Sequence, residues 1–300
     1  MAESKVAGLF RQIRMPTNPF SMPVSDARIR FLPGTQNAEA TDDDIKVSNR
    51  TLTAVEAVGQ VSWSYDLDED SVIAMSPHIR ENFEISAAET LDDLILNGDT
   101  DLTATNINKE GATVDRATLG EGHWTLLDGL RKGLLGEADR RYALALDGGN
   151  KESYRQLLEG LDDKAQDIRN LVFLVPPRMA IDALTIPEVV TIDKFGSNAT
   201  IRTGQLAAIF GIPIVSTPML RKNVAADGKV NSTPANNVVW SMIGVNTLGY
   251  RLGFRRELQV ETERSVSKRQ YTMTGSLRVA FQSRETNTAN EYGYIGMNAT

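Results

Sequence analysis

The sequence predicts an α+β protein with one projecting hairpin, and three observations carry that reading. Residues 13–62 form a proline-punctuated stretch with two strand-like arms, residues 77–97 repeat apolar side chains every fourth position, and residues 258–262 and 271–281 alternate apolar with polar.

The hairpin comes first in the chain. Its outgoing arm, 20–31, and its returning arm, 46–63, carry β-branched or aromatic residues at roughly every second position, with Pro33-Gly34 and the acidic run at 42–44 between them. Prolines 16, 19, 23 and 33 keep it from being helical. A two-stranded hairpin is marginal in water, so this one is expected to lie on its own body or on a neighbour.

The helix starts with Ser76 as N-cap and Pro77 at the first helical position, where a missing N–H costs nothing. Ile79, Phe83, Ala87, Leu91 and Ile95 form its apolar stripe, widened by Leu94. Glu81, Glu84, Glu89, Asp92 and Asp93 fall largely outside the stripe, and Asn97-Gly98 ends the helix, with the glycine expected to be left-handed.

Residues 99–120 are polar, Thr-rich and without period, which reads as a loop. Trp124, Leu127, Leu130, Leu134 and Leu135 then suggest one short helix; Tyr154, Leu157, Leu158, Leu161, Ala165 and Ile168 suggest a second. The apolar run 171–175 reads as a buried strand, 177–184 as a helix opened by Pro177, and 211–216, with Pro213 inside, as a strand near an edge or bulge. Residues 221–237 are a polar loop and 238–245 a strand. The alternating pair 258–262 and 271–281, separated by polar 263–270, reads as long and antiparallel, and 284–300 as a loosely held tail.

Composition removes several kinds of chemistry. Cysteine is absent, which rules out disulfides, thiolate metal sites and cysteine nucleophiles. The net charge of −7 argues against tight nonspecific binding to phosphate backbones. Residues 1–15 have no apolar core of a secretory signal, and the longest apolar runs are far shorter than the ~20 residues of a membrane helix. No P-loop, dinucleotide fingerprint or nucleophile elbow occurs, and the acidic runs at 42–44 and 66–70 lack calcium-loop spacing. His78 and His123 are the two histidines, and neither can be paired with a serine or carboxylate from sequence. No catalytic, cofactor-binding or metal-binding residue is assigned.

Six segments, in order, carry a resemblance: RMPTNPF (14–20), TLTAVEAVGQVSWSYDLDEDS (51–71), LDDLILNGD (91–99), FLVPPRMAIDAL (173–184), LAAIFGIPIVSTPML (206–220) and WSMIGVNTLGYRLGFRRELQVET (240–262). Together they resemble the major capsid protein of tailed double-stranded DNA bacteriophages with the HK97 fold. The resemblance implies a short N-terminal arm (1–12), an E-loop hairpin (13–62), a first part of the peripheral domain (63–118) with the spine helix 77–97, an axial domain (119–250), and a second peripheral part with the C-terminal tail (251–300). It implies a non-enzymatic shell protein without cofactors, found in the virion and, during assembly, in the host cytoplasm. Its partners would be itself as hexamers and pentamers, portal and scaffolding proteins, a decoration protein, and packaged DNA contacted nonspecifically; no membrane is involved. Family members usually carry an N-terminal arm, often with a cleavable scaffolding segment before it, and about a dozen residues precede the hairpin root here, so either the sequence is truncated or processed or the arm is very short. Lys46 is the one lysine of the E-loop, and no isopeptide partner can be identified for it.

Two further readings are an encapsulin-like nanocompartment of the same fold and a soluble α/β hydrolase or transferase using His123. Within the shell reading, Ile79, Phe83, Leu91, Leu94 and Ile95 are expected to pack against the strands near 258–262 and 271–281, making the peripheral domain discontinuous. The polar loops 145–151 and 221–237 are expected at capsomer axes. Arg11, Arg14, Arg28 and Arg30, with Phe20 and Phe31, are expected at the subunit interface. The basis is charge: residues 5–30 are basic with Asp26 as the one acid, whereas Arg80 is the one base among the many acids of 66–99.

Overall fold

The computed structural model describes residues 5–25, 31, 33, 47–71, 75–118, 120–142, 147–186, 207–284 and 291–299. In chain order the elements are β1 (Arg11–Arg14), β2 (Phe20–Ser25), β3 (Val47–Leu52), β4 (Val55–Ser64), α1 (Tyr65–Asp70), α2 (Met75–Asn97), α3 (Leu130–Gly136), β5 (Arg141–Tyr142) and α4 (Lys151–Leu161). They continue with β6 (Leu171–Val175), α5 (Pro177–Asp182), β7 (Ala207–Ile209), β8 (Ile212–Ser216), β9 (Lys222–Val224), β10 (Val239–Asn246), β11 (Tyr250–Ser265), β12 (Gln270–Ser283) and β13 (Gly293–Ala299).

Two sheets organise the chain. The first has the order β1-β11-β12-β4; the second runs β5-β13-β10-β6-β8-β7, with β9 also on β10. The expected long antiparallel pair is β11–β12, and it extends beyond the predicted limits because alternation continues to Ser265, leaving only 266–269 as the turn. Strand β6 is buried along its whole length, as its unbroken apolar run requires of a strand covered on both faces.

The hairpin reading needs one correction. Strand β2 pairs antiparallel with β3, but the rest of the returning arm, β4, leaves the hairpin and pairs with β12. The switch occurs at Ala54, whose N–H donates to the Asn18 side chain (2.9 Å) and whose carbonyl accepts from Asn18 Nδ2 (3.0 Å). Beneath this clamp Met15, Leu52, Ala54 and Ala280 form a small core that closes the hairpin root onto the sheet.

Helix α2 begins at Met75, so Ser76 lies inside it and is not its cap. Its first four turns are partly exposed, whereas every residue from Leu91 to Asn97 is buried, Asp92 and Asp93 included. Of the acids predicted outside the stripe, Glu81 and Glu89 are exposed and Glu84 is partly exposed, whereas Asp92 and Asp93 are buried because the end of α2 passes between the sheets. Leu91, Leu94 and Ile95 share one core with Leu252, Leu277, Val279 and Phe281 from the first sheet, with Leu130 and Leu134 of α3, and with Val172 and Ile243 of the second sheet. Ile79 and Phe83 are only partly buried. The Phe83 ring lies over Gly59 of β4 and Gly275 of β12, so close that a Cβ at 275 would come within 2.8 Å of it. Phe83→Ala is accordingly expected to cost about 1–2 kcal/mol, not the ~3–5 kcal/mol of a full core aromatic. Urea unfolding of the isolated protein measures this, and a loss above ~3 kcal/mol would contradict partial burial.

Other expectations also shift. The segment from Trp124 to Leu135 is not one helix but a 3₁₀ turn (Gly122–Thr125) and α3, broken where the Gly129 N–H donates to Gly98 O (2.8 Å). Gly98 is not left-handed; it is glycine because the 127–129 loop crosses it. Residues 293–299 are no loose tail: β13 lies between β5 and β10, with Ile295 and Met297 buried, so this part of 251–300 belongs to the second sheet. Residues 99–118 have no helix or strand, as expected, yet Asp99, Asn106 and Asn108 are buried and bonded within it.

Candidate functional site

No catalytic arrangement or cofactor site was predicted from sequence, so the candidates are surfaces and the joint that orients them. Residues 5–7 are held against α2 by one carboxylate: Asp92 accepts from the N–H groups of Lys5 (2.9 Å), Val6 (3.2 Å) and Ala7 (3.0 Å). Val6, Ala7 and Phe10 enter the main core, where Phe10 meets Tyr250 and Phe281 edge-on. The N-terminal stretch, expected to be an arm, is therefore bound to the body from Lys5 onward. It continues as β1, which pairs parallel with β11 along the sheet edge.

Arg11 and Arg14 project from that edge strand and are exposed. Phe20 is partly buried at the hairpin root, packed on the Met15–Leu52 core, and Phe31 is fully exposed at 100%. Arg28, Arg30 and Lys46 lie outside the described residues, as do 145 and 146 of the 145–151 loop. The sequence-predicted interface group is thus divided: Arg11 and Arg14 on the sheet edge, Phe20 at the root and Phe31 out on the hairpin.

The joint was invisible to sequence reasoning. Asp93 accepts from His123 Nε2 (2.7 Å), Trp124 Nε1 (3.0 Å) and Asn97 Nδ2 (2.5 Å), and Arg221 stands 3.6 Å away over the Trp124 ring. Burial alone would raise its pKa; the His123 hydrogen bond, the Arg221 charge and Asn97 outweigh that, and the carboxyl is held below its ordinary value. His123 thus has a carboxylate partner, supplied by α2 from 30 residues away in sequence.

Behind it, the guanidinium of Arg131 has no solvent exposure. It donates to Asn97 Oδ1 (2.7 Å), Asn108 Oδ1 (3.3 Å) and Gly228 O (2.7 Å), linking α2, the 99–118 loop and the 221–237 loop from inside α3. Desolvation, then repulsion from Arg221, pull its pKa down to about 9 against the attraction of Asp93, Asp99 and Asp227, so it remains a cation at neutral pH. Lys132 adds a bond to the buried Asp99 (2.9 Å).

A cleft of about 500 Å³ opens between α2 and the β4–β12 face, floored by Gly59, Gly275 and Phe83. Its polar lining includes Glu56, Arg116 and His123, and His123 is held by Asp93. Among the described residues there is no group of three acids or histidines placed to hold a metal, and no helix long and apolar enough to cross a membrane.

No protein-family model and no curated relative matches the sequence. Solved structures do. A structure from Gordonia phage Cozz is similar with a TM-score of 0.66 at 13% identity, over 99% of this chain and 87% of that one. One from Microbacterium phage Oxtober96 gives 0.64 at 16% identity, over 100% and 92%. The capsid of the native GTA particle gives 0.61 at 13% identity, over 99% and 90%. At such identities the likeness defines the fold, and it does so end to end: a hairpin-bearing sheet, a spine helix and a second sheet. The chain has the α+β, HK97-like capsid fold.

Proposed function

We propose that this chain is a major capsid protein that self-assembles, as hexamers and pentamers, into the icosahedral head shell around a phage double-stranded DNA genome. The observation that carries the reading is the extent of the likeness: capsid structures match over nearly the whole chain and most of their own length. A sheet edge with exposed arginines and a hairpin rooted on a small core suit a subunit completed by its neighbours.

In this reading the domain limits 1–12, 13–62, 63–118, 119–250 and 251–300 describe arm, E-loop, peripheral, axial and returning peripheral parts, with β13 reassigned to the axial sheet. A neighbouring subunit is held through Arg28, Arg30 and Phe31 of the E-loop, Phe20 at its root, and Arg11 and Arg14 on the sheet edge, and the 145–151 and 221–237 loops gather at capsomer axes. Portal, scaffolding and decoration proteins are the remaining protein partners, DNA is contacted without sequence preference, and the subunit performs no catalysis. Assembly takes place in the host cytoplasm and the finished protein resides in the virion. The encapsulin alternative is not favoured, since the quoted neighbours are from phages and a GTA particle.

Negative-stain electron microscopy of the purified protein, with size-exclusion chromatography, is the test. Closed shells are expected. A small oligomer at every concentration would overturn the reading, and shells filled by a protein cargo would move it to the nanocompartment.

A further inference from the structure

The first sheet is electrically opposite at its two ends. At one end the parallel register sets Arg11 beside Arg251, and the backbone N–H of Arg284, just past β12, donates to Gly249 O (2.7 Å). The Arg251 guanidinium is used by backbone carbonyls, donating to Leu248 O (2.8 Å) and Tyr250 O (2.9 Å). Desolvation, then repulsion from Arg284 and Arg11, depress its pKa, so three cations crowd one another there. Among the described residues neither Arg11 nor Arg284 has an ion pair. Like charges facing each other across strands are destabilising in the isolated subunit.

At the other end, the Tyr65 N–H donates to Arg269 O (3.2 Å) and the Tyr65 ring lies under Arg264, which seats α1 on the β11–β12 turn. The turn contributes Lys268 and Arg269, and Arg269 faces Asp66 at 3.6 Å. Asp68, Glu69 and Asp70 are exposed and have no ion partner among the described residues. From Arg251 to Ser265, β11 spans about 45 Å, several Debye lengths at 0.1 M salt. The two ends therefore cannot neutralise each other within one subunit.

We infer that the Arg11–Arg251–Arg284 end of one subunit receives the α1 carboxylates Asp68, Glu69 and Asp70 of the next copy, head to tail. This rests on the capsid reading and names a contact within it. A head-to-tail contact is heterologous, the kind that closes into rings when the rotation permits. A nucleic-acid phosphate would also satisfy the arginines, but it would leave the acidic end without a role, whereas a second copy satisfies both ends at once.

Charge exchange tests the contact. Variants Arg11→Glu/Arg284→Glu and Asp68→Arg/Glu69→Arg are each expected to lower shell yield about tenfold near 50 mM salt, where screening is weak. The combined four-site variant is expected to recover shells to within about twofold of the unmodified protein, as paired reversals do when two sites are coupled. Melting temperatures of unassembled subunits check folding; should the glutamate pair unfold, Arg11→Gln/Arg284→Gln replaces it. A four-site variant no better than the poorer double variant overturns the contact. So do normal yields from either double variant, including shells of Arg11→Glu/Arg284→Glu that form fully but hold less DNA. If the unmodified protein makes no shells, the capsid reading itself fails; if it does and rescue is absent, only this contact fails.

Discussion

Replacing Arg131 with alanine is expected to destabilise the protein by about 3–5 kcal/mol, the usual cost of removing one partner from a buried charged network. The truncation would strand Asn97 Oδ1, Asn108 Oδ1 and Gly228 O inside the protein, each desolvated and unpaired. It would also leave a void where a large side chain is wholly buried. Thermal unfolding of the isolated protein should show a fall on the order of 10 °C. Arg131→Lys sharpens the result: it keeps the charge and loses the planar fork that reaches three acceptors, so it should recover only part of the loss. A melting temperature unchanged in Arg131→Ala would mean that the three segments are held together by apolar packing alone.

Gly98→Ala is expected to be nearly as damaging, at about 3 kcal/mol, the upper end for overpacking. The reason is proximity, not backbone conformation. A Cβ at 98 would lie 2.7 Å from Leu94 O and would overlap the Leu127 carbonyl oxygen, and neither backbone atom can move without the other. The same crossing constrains Gly129, where a Cβ would fall 2.7 Å from Leu94 O and 2.8 Å from Gly98 N. The two glycines let the loop before α3 lie directly on the end of α2. Gly136→Ala, where an added Cβ meets nothing, is the control and should be close to neutral. Urea midpoints for the two variants give the comparison, and equal values would refute the steric argument.

Much of the fold is legible in the sequence wherever one element declares itself. The apolar run at Leu171–Val175, the period of Tyr154, Leu157 and Leu161, and the alternation flanking the 266–269 turn each depend on local spacing. Long-range partners are not legible in this way. The alternating residues of β4 fit a hairpin partner as well as they fit β12, and only the Asn18 clamp on Ala54 decides. Strand β13 resembles a tail in sequence because a seven-residue strand among polar neighbours carries little signal until β10 and β5 flank it. The Asp93 knot shows the same limit for polar groups. An acid on the apparent solvent face of a helix carries no mark of burial, since its partners His123, Trp124 and Arg221 arrive from elsewhere in the chain. Gly98 was placed correctly at the helix end for a reason that does not hold.

The pairing of β1 with β11 has a consequence in time. During synthesis the strand at Arg11–Arg14 emerges about 240 residues before its partner at Arg251–Phe254, and β4 waits almost as long for β12. At ribosomal speeds of about 5–20 residues per second, the delay is roughly 10–50 s. Throughout it Val6, Phe10, Met15 and Leu52, all destined for burial, lack the part of their cover that β11 and β12 supply, and contacts so distant in sequence form slowly even once they are available. If the proposed capsid role holds, many copies would cross that interval side by side, each offering an unpaired strand to the next, so holding nascent chains apart would matter to a shell as much as the fit between finished subunits.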